Sequence, residues 1–488
     1  MIIHDIQITI EFIFGHLVFI NLVFAIFIIF FQRKDPKSVW AWLLILYFIP
    51  VLGFVFYLLI GTDMHKKRMF RTKEMEDRLG EAIHHQEAII KNQELAVSYP
   101  KMADYGDMVL YHLRMSHAIL TDDNRVDFLT DGKEKFATLC EDIKQAKESI
   151  HIQYYIIRDD EVLGGIRPIL TQKVKEGVEV RILFDAMGCR GVRNKLWKQL
   201  EAEGVQTAEF FPALFGKLHL RVNYRNHRKL VIIDGKVGYV GGFNMAREYL
   251  GLDKKFGYWR DTHMRITGSA VSALQGRFIL DWNFAARSRT LSYDKYVCEP
   301  DPDPTAKCPV QIVASGPDTT HQNIKNTYLR MIHKARRSIY IQTPYFIPDE
   351  TIMSALLIAV HSGIEVNIMI PCKPDHPFVY WATYSYVGEL VLAGANCYTY
   401  MNGFLHAKGI VVDELVLSYG TANMDIRSFA LNFEVNAILY DEEKAIEMVE
   451  IFKEDLKHSS LITKNIYLSR SLLIRIREQC SRLLSPLL

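Results

Sequence analysis

Two short segments hold the side chains best suited to chemistry: His227-Arg228-Lys229 with Asp234, and His406-Ala407-Lys408 with Asp413. In each, Lys follows His by two residues and Asp by seven. Further on come Gly241-Gly242-Phe243-Asn244 and Gly420-Thr421-Ala422-Asn423. All four positions share one offset of 179 residues, that from 227 to 406. With 17 histidines in the chain, a single H-x-K-x4-D arises by accident about 0.04 times. Two copies with matching tails therefore mark a duplication. Strand side chains alternate faces, so His227 and Lys229, and likewise His406 and Lys408, point the same way. If two such halves pack about a pseudo-twofold axis, two imidazoles, two ammoniums and the amides of Asn244 and Asn423 meet in one cleft. Imidazole attacks phosphorus, ammoniums and amides hold the non-bridging oxygens, and a second imidazolium protonates the departing alkoxide. Phosphodiester substitution fits this set best.

A nucleophilic His needs its other ring nitrogen held. Asp261, in Trp259-Arg260-Asp261-Thr262, and Glu434, in Asn432-Phe433-Glu434-Val435, follow the two motifs at comparable places and are expected to orient the histidines. Asp234 and Asp413 complete each signature, and from the residues alone a local structural job at the strand end is as good a reading as catalysis. A metal site is disfavoured, because a Lys beside each His repels a cation and no Cys or His partner stands at ligand spacing.

The paired H-x-K-x4-D-x6-G-[GST]-x-N segments resemble the signature of the phospholipase D superfamily. Together with the apolar SVWAWLLILYFIPVLGFVFYLLIG stretch, YFIPDE at Tyr345–Glu350 and the SPLL terminus, the chain is similar to bacterial cardiolipin synthases along nearly its whole length. The resemblance implies a phosphatidyltransferase. One phosphatidylglycerol would form a phosphatidyl-histidine and release glycerol, and the hydroxyl of a second would displace the enzyme to give cardiolipin. It further implies His227 as nucleophile, His406 as general acid and then base, Lys229 and Lys408 with Asp234 and Asp413 completing the catalytic set, Asn244 and Asn423 on phosphate, and neither metal nor cofactor. One departure between the halves is Gly242 against Thr421, and a phosphate contact from that hydroxyl would make them bind unequally. A hydrolytic phospholipase D, or transfer to another alcohol, is the alternative.

The elements that must position these residues are legible too. Ser149–Leu183 (SIHIQYYI, a helical interval, GVEVRIL) resembles Ser338–Met369 (SIYIQTPYFI, then GIEVNIM), each reading strand, helix, strand. The proline-rich and acidic CEPDPDPTAKCP lies between them. The expected fold class is α/β, with two homologous domains (121–297 and 310–463) joined by a linker (298–309) and forming a pseudo-twofold pair. A charged helical connector (62–120) precedes them and a basic amphipathic segment (464–488) follows. In that last segment Leu473, Ile476, Cys480, Leu483 and Leu487 recur at helical spacing, which suits lipid contact or docking on the core equally.

Val39–Ile60 is 22 residues without a charge, near the ~20 needed to cross a bilayer. Phe12–Phe31 is nearly as apolar, though it holds His16 and Asn21. Residues 1–61 thus read as an anchor with two transmembrane helices, about 12–31 and 39–60, uncleaved because no Lys or Arg precedes Arg33. Lys66, Lys67, Arg68, Arg71 and Lys73 follow the second span, against Arg33, Lys34 and Lys37 between the spans. This favours a multi-pass membrane protein with a cytoplasmic catalytic body, and the resemblance implies that the membrane is the bacterial cell membrane. Seven cysteines without a C-x-x-C pair suit a reducing compartment. The net charge is only +2, and Lys464, Arg470, Arg475, Arg477 and Arg482 opposite Glu478 give the last segment +4, leaving −2 for the rest of the chain. A nearly neutral body argues against nucleic acid as partner and against a nuclease. The apolar spans make membrane phospholipid the expected partner, and the resemblance implies phosphatidylglycerol. The residues leave the oligomeric state open, a homo-oligomer included.

Overall fold

The apolar run after each histidine becomes a buried strand: Leu230–Ile233 (β6) in the first half and Gly409–Val412 (β16) in the second, every residue buried. The computed structural model describes residues 36–49, 73–92, 100–212, 223–319 and 321–485, with positions 19, 21–23, 25, 26, 53 and 57. It divides into two compact units, residues 1–69 with 213–224, and residues 70–212 with 225–488.

In the smaller unit a helix covers Pro36–Phe48. The Asn21 amide donates to the Leu46 carbonyl at 3.2 Å, and Trp42 meets the Tyr57 ring edge-on. The rest of the two expected spans lies outside the described residues. Among the described residues no helix is long and apolar enough to cross a membrane.

The larger unit holds both halves. The first contributes β1 (Thr121–Leu129), β2 (Ser149–Tyr154), β3 (Glu179–Asp185), β4 (Gln206–Phe210), β5 (Arg225–Asn226), β6, β7 (Val237–Gly241), β8 (Trp259–Arg260) and β9 (His263–Thr267). The second contributes β10 (Cys308–Ser315), β11 (Ser338–Gln342), β12 (Phe346–Ile347), β13 (Glu365–Pro371), β14 (Asn396–Tyr400), β15 (Phe404–Leu405), β16, β17 (Val416–Gly420), β18 (Met424–Asp425), β19 (Asn432–Leu439) and β20 (Ser459–Leu461). The strand order β4-β3-β2-β6-β7-β9-β1 in one half matches β14-β13-β11-β16-β17-β19-β10 in the other, position for position. β1 and β10 pair antiparallel, with Thr121 opposite Val310 and Asn124 opposite Cys308, and so fuse the halves into one continuous sheet. The inner strands are buried on both faces, β2 wholly so. This is what helices on both sides of a largely parallel edge demand.

Helices Gly132–Gln145 and Asn323–Lys334 precede β2 and β11, as their period predicts. Within the expected connector, Lys73–Lys91 and Gly106–Ser116 are helical. The second of these is built into the body: Met108, Val109 and Leu113 are buried, and His112 bridges Gln311 (2.9 Å) and Thr327 (2.8 Å). His84 and His85 are exposed.

The hairpin β6–β7 turns at Asp234 (φ 52°) and Gly235 (φ 65°), closed by Lys236 N–H to Ile233 O at 3.0 Å. Two left-handed central residues match the twist of the flanking strands. The second half makes the same turn with Asp413 (φ 55°) and Glu414 (φ 57°), although Glu lacks glycine's freedom there.

Candidate active site

His227 stands just after β5 and His406 just after β15. These two-residue strands stitch the halves together. β5 runs parallel to the start of β19 (Arg225 opposite Asn432, Asn226 opposite Phe433), and β15 runs parallel to β8 (Phe404 opposite Trp259, Leu405 opposite Arg260). The ladder then continues through each histidine's own amide: His227 N–H donates to Phe433 O at 3.0 Å and His406 N–H to Arg260 O at 2.7 Å. The next residue on each partner segment is a carboxylate, Glu434 or Asp261. Each histidine is therefore held by the carboxylate of the opposite half.

His227 Nδ1 lies 2.9 and 3.1 Å from the two oxygens of Glu434. His406 Nδ1 lies 2.6 Å from Asp261 Oδ2. Among the described residues neither Nε2 has a protein partner, so each ring keeps one nitrogen for a ligand. The carboxylates are themselves fixed. Thr421 Oγ1 donates to Glu434 at 2.6 Å and Asn432 Nδ2 at 3.1 Å, while Thr262 N–H donates to Asp261 at 2.7 Å. The Thr421 hydroxyl is thus occupied by Glu434 rather than turned to a phosphate. A Cβ on Gly242, its counterpart, would sit 1.9 Å from Asp261 Oδ1, so glycine there makes room for that carboxylate.

Lys229 Nζ donates to its neighbour's carbonyl, His227 O, at 2.7 Å, and Lys408 Nζ likewise to His406 O. Lys408 Nζ also stands 2.8 Å from His406 Nδ1 and 3.7 Å from Asp261 Oδ2. Asn244 accepts from Ile156 N–H at 3.1 Å and donates to Tyr249 OH. Asn423 is buried and bonded to Asp425, whose carboxyl burial raises to about 6.

The charges of the two halves act on one another. Burial lowers His227 and His406, the latter to about 4, and the lysine of the opposite half adds to each depression. Lys229 falls well below its usual range and Lys408 to about 8, again through burial first. Asp261 and Glu434 are held below the ordinary carboxylate range: burial pushes them up, and the opposing Lys408–His406 and His227–Lys229 charges outweigh it. Two ionised carboxylates already balance the lysines, and burial disfavours the charged forms of the lysines and imidazoles, so a group bearing negative oxygens would favour their protonation.

Asp234 and Asp413 are not part of it. Asp234 accepts from the backbone N–H groups of Lys147, Glu148 and Ser149, and Asp413 from those of Arg336, Arg337 and Ser338, all at 2.7–2.9 Å. Each lies a full strand beyond its histidine, about 23 Å at strand rise. The expectation that they act in catalysis is corrected accordingly: they tie the hairpin to the start of β2 or β11.

Sequence reasoning did not single out the supporting layer. Asp281 takes Arg228 (2.6 and 2.7 Å) and Gln153 (2.6 Å). Asp455 takes Arg260 (2.9 Å) and Gln342 (2.7 Å). These buried groups brace the segments bearing His227 and Asp261. The repeated S-I-x-I-Q of β2 and β11 was the available signal for the glutamines. Tyr155 packs edge-on against the His227 ring at 5.1 Å. Among the described residues no group of His, Cys, Asp and Glu is arranged to hold a metal ion.

Comparison with known proteins matches residues 139–267 and 328–456 to the family described as cardiolipin synthase, PLD-like domain. The chain belongs to that family. Residues 19–61 match the phospholipase D-nuclease N-terminal family. The chain is 52% identical to the major cardiolipin synthase ClsA of Bacillus subtilis over 96% of its own length and 97% of that protein's. It is 50% identical to the cardiolipin synthase of Oceanobacillus iheyensis, covering 96% and 97%. Among solved structures, phosphatidylserine synthase of Haemophilus influenzae shares the fold, with a TM-score of 0.60 at 14% identity over 78% of this chain and 99% of that one.

Proposed function

We propose that this member of the cardiolipin synthase family transfers a phosphatidyl group between two phosphatidylglycerol molecules, forming cardiolipin and glycerol. The observation that carries the reading is the crossed pairing of two imidazoles with two buried carboxylates, with both lysines beside them. The Nε2 lone pair of His227 attacks phosphorus, and the bond from phosphorus to the glycerol oxygen breaks. His406 Nε2–H supplies the proton that glycerol carries away. The neutral His406 then takes the proton of the second phosphatidylglycerol's hydroxyl, whose oxygen displaces His227 from phosphorus. Lys229, Lys408, Asn244 and Asn423 hold the non-bridging oxygens. A phosphate anion raises the lysine and His406 pKa values that burial has lowered, so binding draws in the protons that the first step consumes.

An inequality between the rings supports this assignment of roles. His227 Nδ1 faces a carboxylate alone, so it carries the hydrogen and Nε2 is left bare. His406 Nδ1–H donates to Asp261 with the Lys408 ammonium beside it, and that cation makes the imidazolium, formed once phosphate binding has protonated Nε2, the stronger acid. We read residues 1–61 as the bilayer anchor and the body as cytoplasmic, supported by the apolar runs, the basic flank and the N-terminal family match.

The test is purified full-length enzyme with phosphatidylglycerol in mixed micelles, followed by lipid mass spectrometry, with His406→Asn and a phosphatidyl ester of a good leaving group, which departs without an acid, used to trap the intermediate. Cardiolipin and glycerol in equal amounts, and a phosphatidyl adduct on His227 in the variant, are expected. Phosphatidic acid without cardiolipin would replace the transferase reading with hydrolysis.

A further inference from the structure

The last helix, Leu472–Leu483, is turned the opposite way from a core-facing amphipathic helix. At about 100° per residue, positions 472, 473, 476, 480 and 483 share one stripe. That stripe faces outward: Leu472 is 73% exposed, Leu473 57%, Ile476 50% and Leu483 82%, with Cys480 exposed among them. The opposite, polar side is the one that docks. Glu478 is buried and takes Arg470 at 3.0 Å, Arg482 pairs with Glu389 at 2.9 Å, and Tyr386 OH reaches Ser485 at 3.2 Å. Ile466 and Leu468, on the preceding short helix, extend the apolar surface.

Arg475 and Arg477 flank the stripe on its two sides, and among the described residues neither has a carboxylate within ion-pair distance. Arg475 donates to Leu468 O, and Arg477 lies over the Trp381 ring. An apolar stripe edged by cations on both sides matches a bilayer surface, where leucines enter the acyl boundary and arginines meet anionic headgroups. It does not match a second copy of itself, because a twofold axis through this face would set arginine against arginine.

The patch is tied to the pocket. Helix Pro377–Ala393 carries Tyr386 and Glu389, and Gly388 lies against Tyr467. Two residues before that helix, Asp375 accepts from Tyr345 OH, and its charge acts on Lys408. Phe378, in the first turn of the same helix, is 57% exposed.

We propose that helix Leu472–Leu483 is an interfacial anchor that lies on an anionic bilayer with Leu472, Leu473, Ile476, Cys480 and Leu483 in the acyl boundary and Arg475 and Arg477 at the headgroups. It works beside the N-terminal segment and does not depend on the reaction assigned above, since the test does not read activity.

Cys480 supplies the probe. Full-length protein is labelled there with a nitroxide under limiting reagent, with Cys480→Ser as background, and reconstituted in phosphatidylcholine vesicles with or without phosphatidylserine. Power saturation should show the label open to oxygen and closed to a nickel chelate on the anionic vesicles. L472E/L483E, with an unchanged thermal midpoint, should reopen it to nickel. Loss of burial should weaken helix insertion about tenfold per leucine. R475Q/R477Q should remove the dependence on phosphatidylserine. A label open to nickel on anionic vesicles overturns the proposal. So does one shielded equally in phosphatidylcholine alone, or shielded in proportion to protein concentration, since either marks a protein contact.

Discussion

Glu434→Gln isolates the electrostatic part of the His227 site. Gln keeps the shape of Glu434, and the surrounding donors choose its orientation. Asn432 Nδ2 and His227 Nδ1–H both approach Oε1, while Thr421, able to rotate its hydroxyl, approaches Oε2. The amide oxygen therefore takes the Oε1 position, the amide nitrogen faces Thr421, and the His227 tautomer survives. What is lost is the charge. His227 becomes cationic as Nε2 bonds to phosphorus, with the carboxylate at 2.9 and 3.1 Å from Nδ1. At about 4 Å between charge centres and an effective dielectric of ~20, that attraction is about 4 kcal/mol. Glu434 is fully buried, so salt screens it little. Allowing for partial charge development, kcat should fall about 10²–10³-fold.

The pH profile separates this cause from damage. Burial holds His227 below its ordinary pKa, and the Glu434 charge opposes that shift. Removing the charge lowers the pKa further, so the neutral ring persists to lower pH. The acid limb of kcat/KM should move to lower pH while the plateau drops. Cardiolipin formation in mixed micelles, measured across pH for both proteins at matched thermal midpoints, checks it. An unchanged plateau, or an acid limb moving to higher pH, would refute the view that Glu434 acts through its charge.

Asp413→Ala should cost about 3 kcal/mol of stability, roughly 1 per orphaned backbone amide, with kcat of the folded fraction preserved; denaturation and active-site titration together check this. Stability should fall as pH drops from about 6.5 toward 4. Burial lowers His112 to about 4 and His151 to about 3, so in that window the unfolded chain binds protons that the folded one does not. His112 alone accounts for about 3 kcal/mol there, read as thermal midpoints against pH. Glu414→Gly should raise the thermal midpoint, by about 0.5–1 kcal/mol of stability, because its φ of 57° strains any residue with a Cβ.

The duplication was legible because two signatures at one offset are visible without a structure, and strand alternation placed each lysine beside its histidine. The Asp234-Gly235 turn was equally plain, since few dipeptides prefer two positive φ angles. What hydrophobic period does not encode is which half supplies which carboxylate. The ladders that cross the halves, β5 on β19 and β8 on β15, are two residues long and leave no periodic trace. The hint was that Asp261 and Glu434 stand 173 residues apart rather than 179, a local departure from the repeat. Asp234 and Asp413 misled for a related reason: their spacing from His is as regular as that of Lys, and spacing alone does not distinguish a strand's two ends.

That departure from symmetry also bears on the chemistry. With one carboxylate longer than the other, the duplicated site needs two ways of seating them. The shorter Asp261 lies against Gly242, where no Cβ fits, and leaves Lys408 within reach of His406 Nδ1. The longer Glu434 meets a hydroxyl from Thr421 and an amide from Asn432, and covers His227 Nδ1 with both oxygens. Two identical halves would hold two equivalent imidazoles, and nothing in the protein would decide which attacks and which protonates. The Gly–Asp and Thr–Glu pairs break that degeneracy before substrate arrives. Gly242→Thr should therefore harm more than its size suggests, because it drives Asp261 from His406 and disables the acid while the nucleophile's half stays whole. An adduct that forms on His227 from a substrate whose leaving group needs no acid, but turns over slowly, is the expected signature, and a variant that fails to form the adduct even from that substrate would place the roles the other way round.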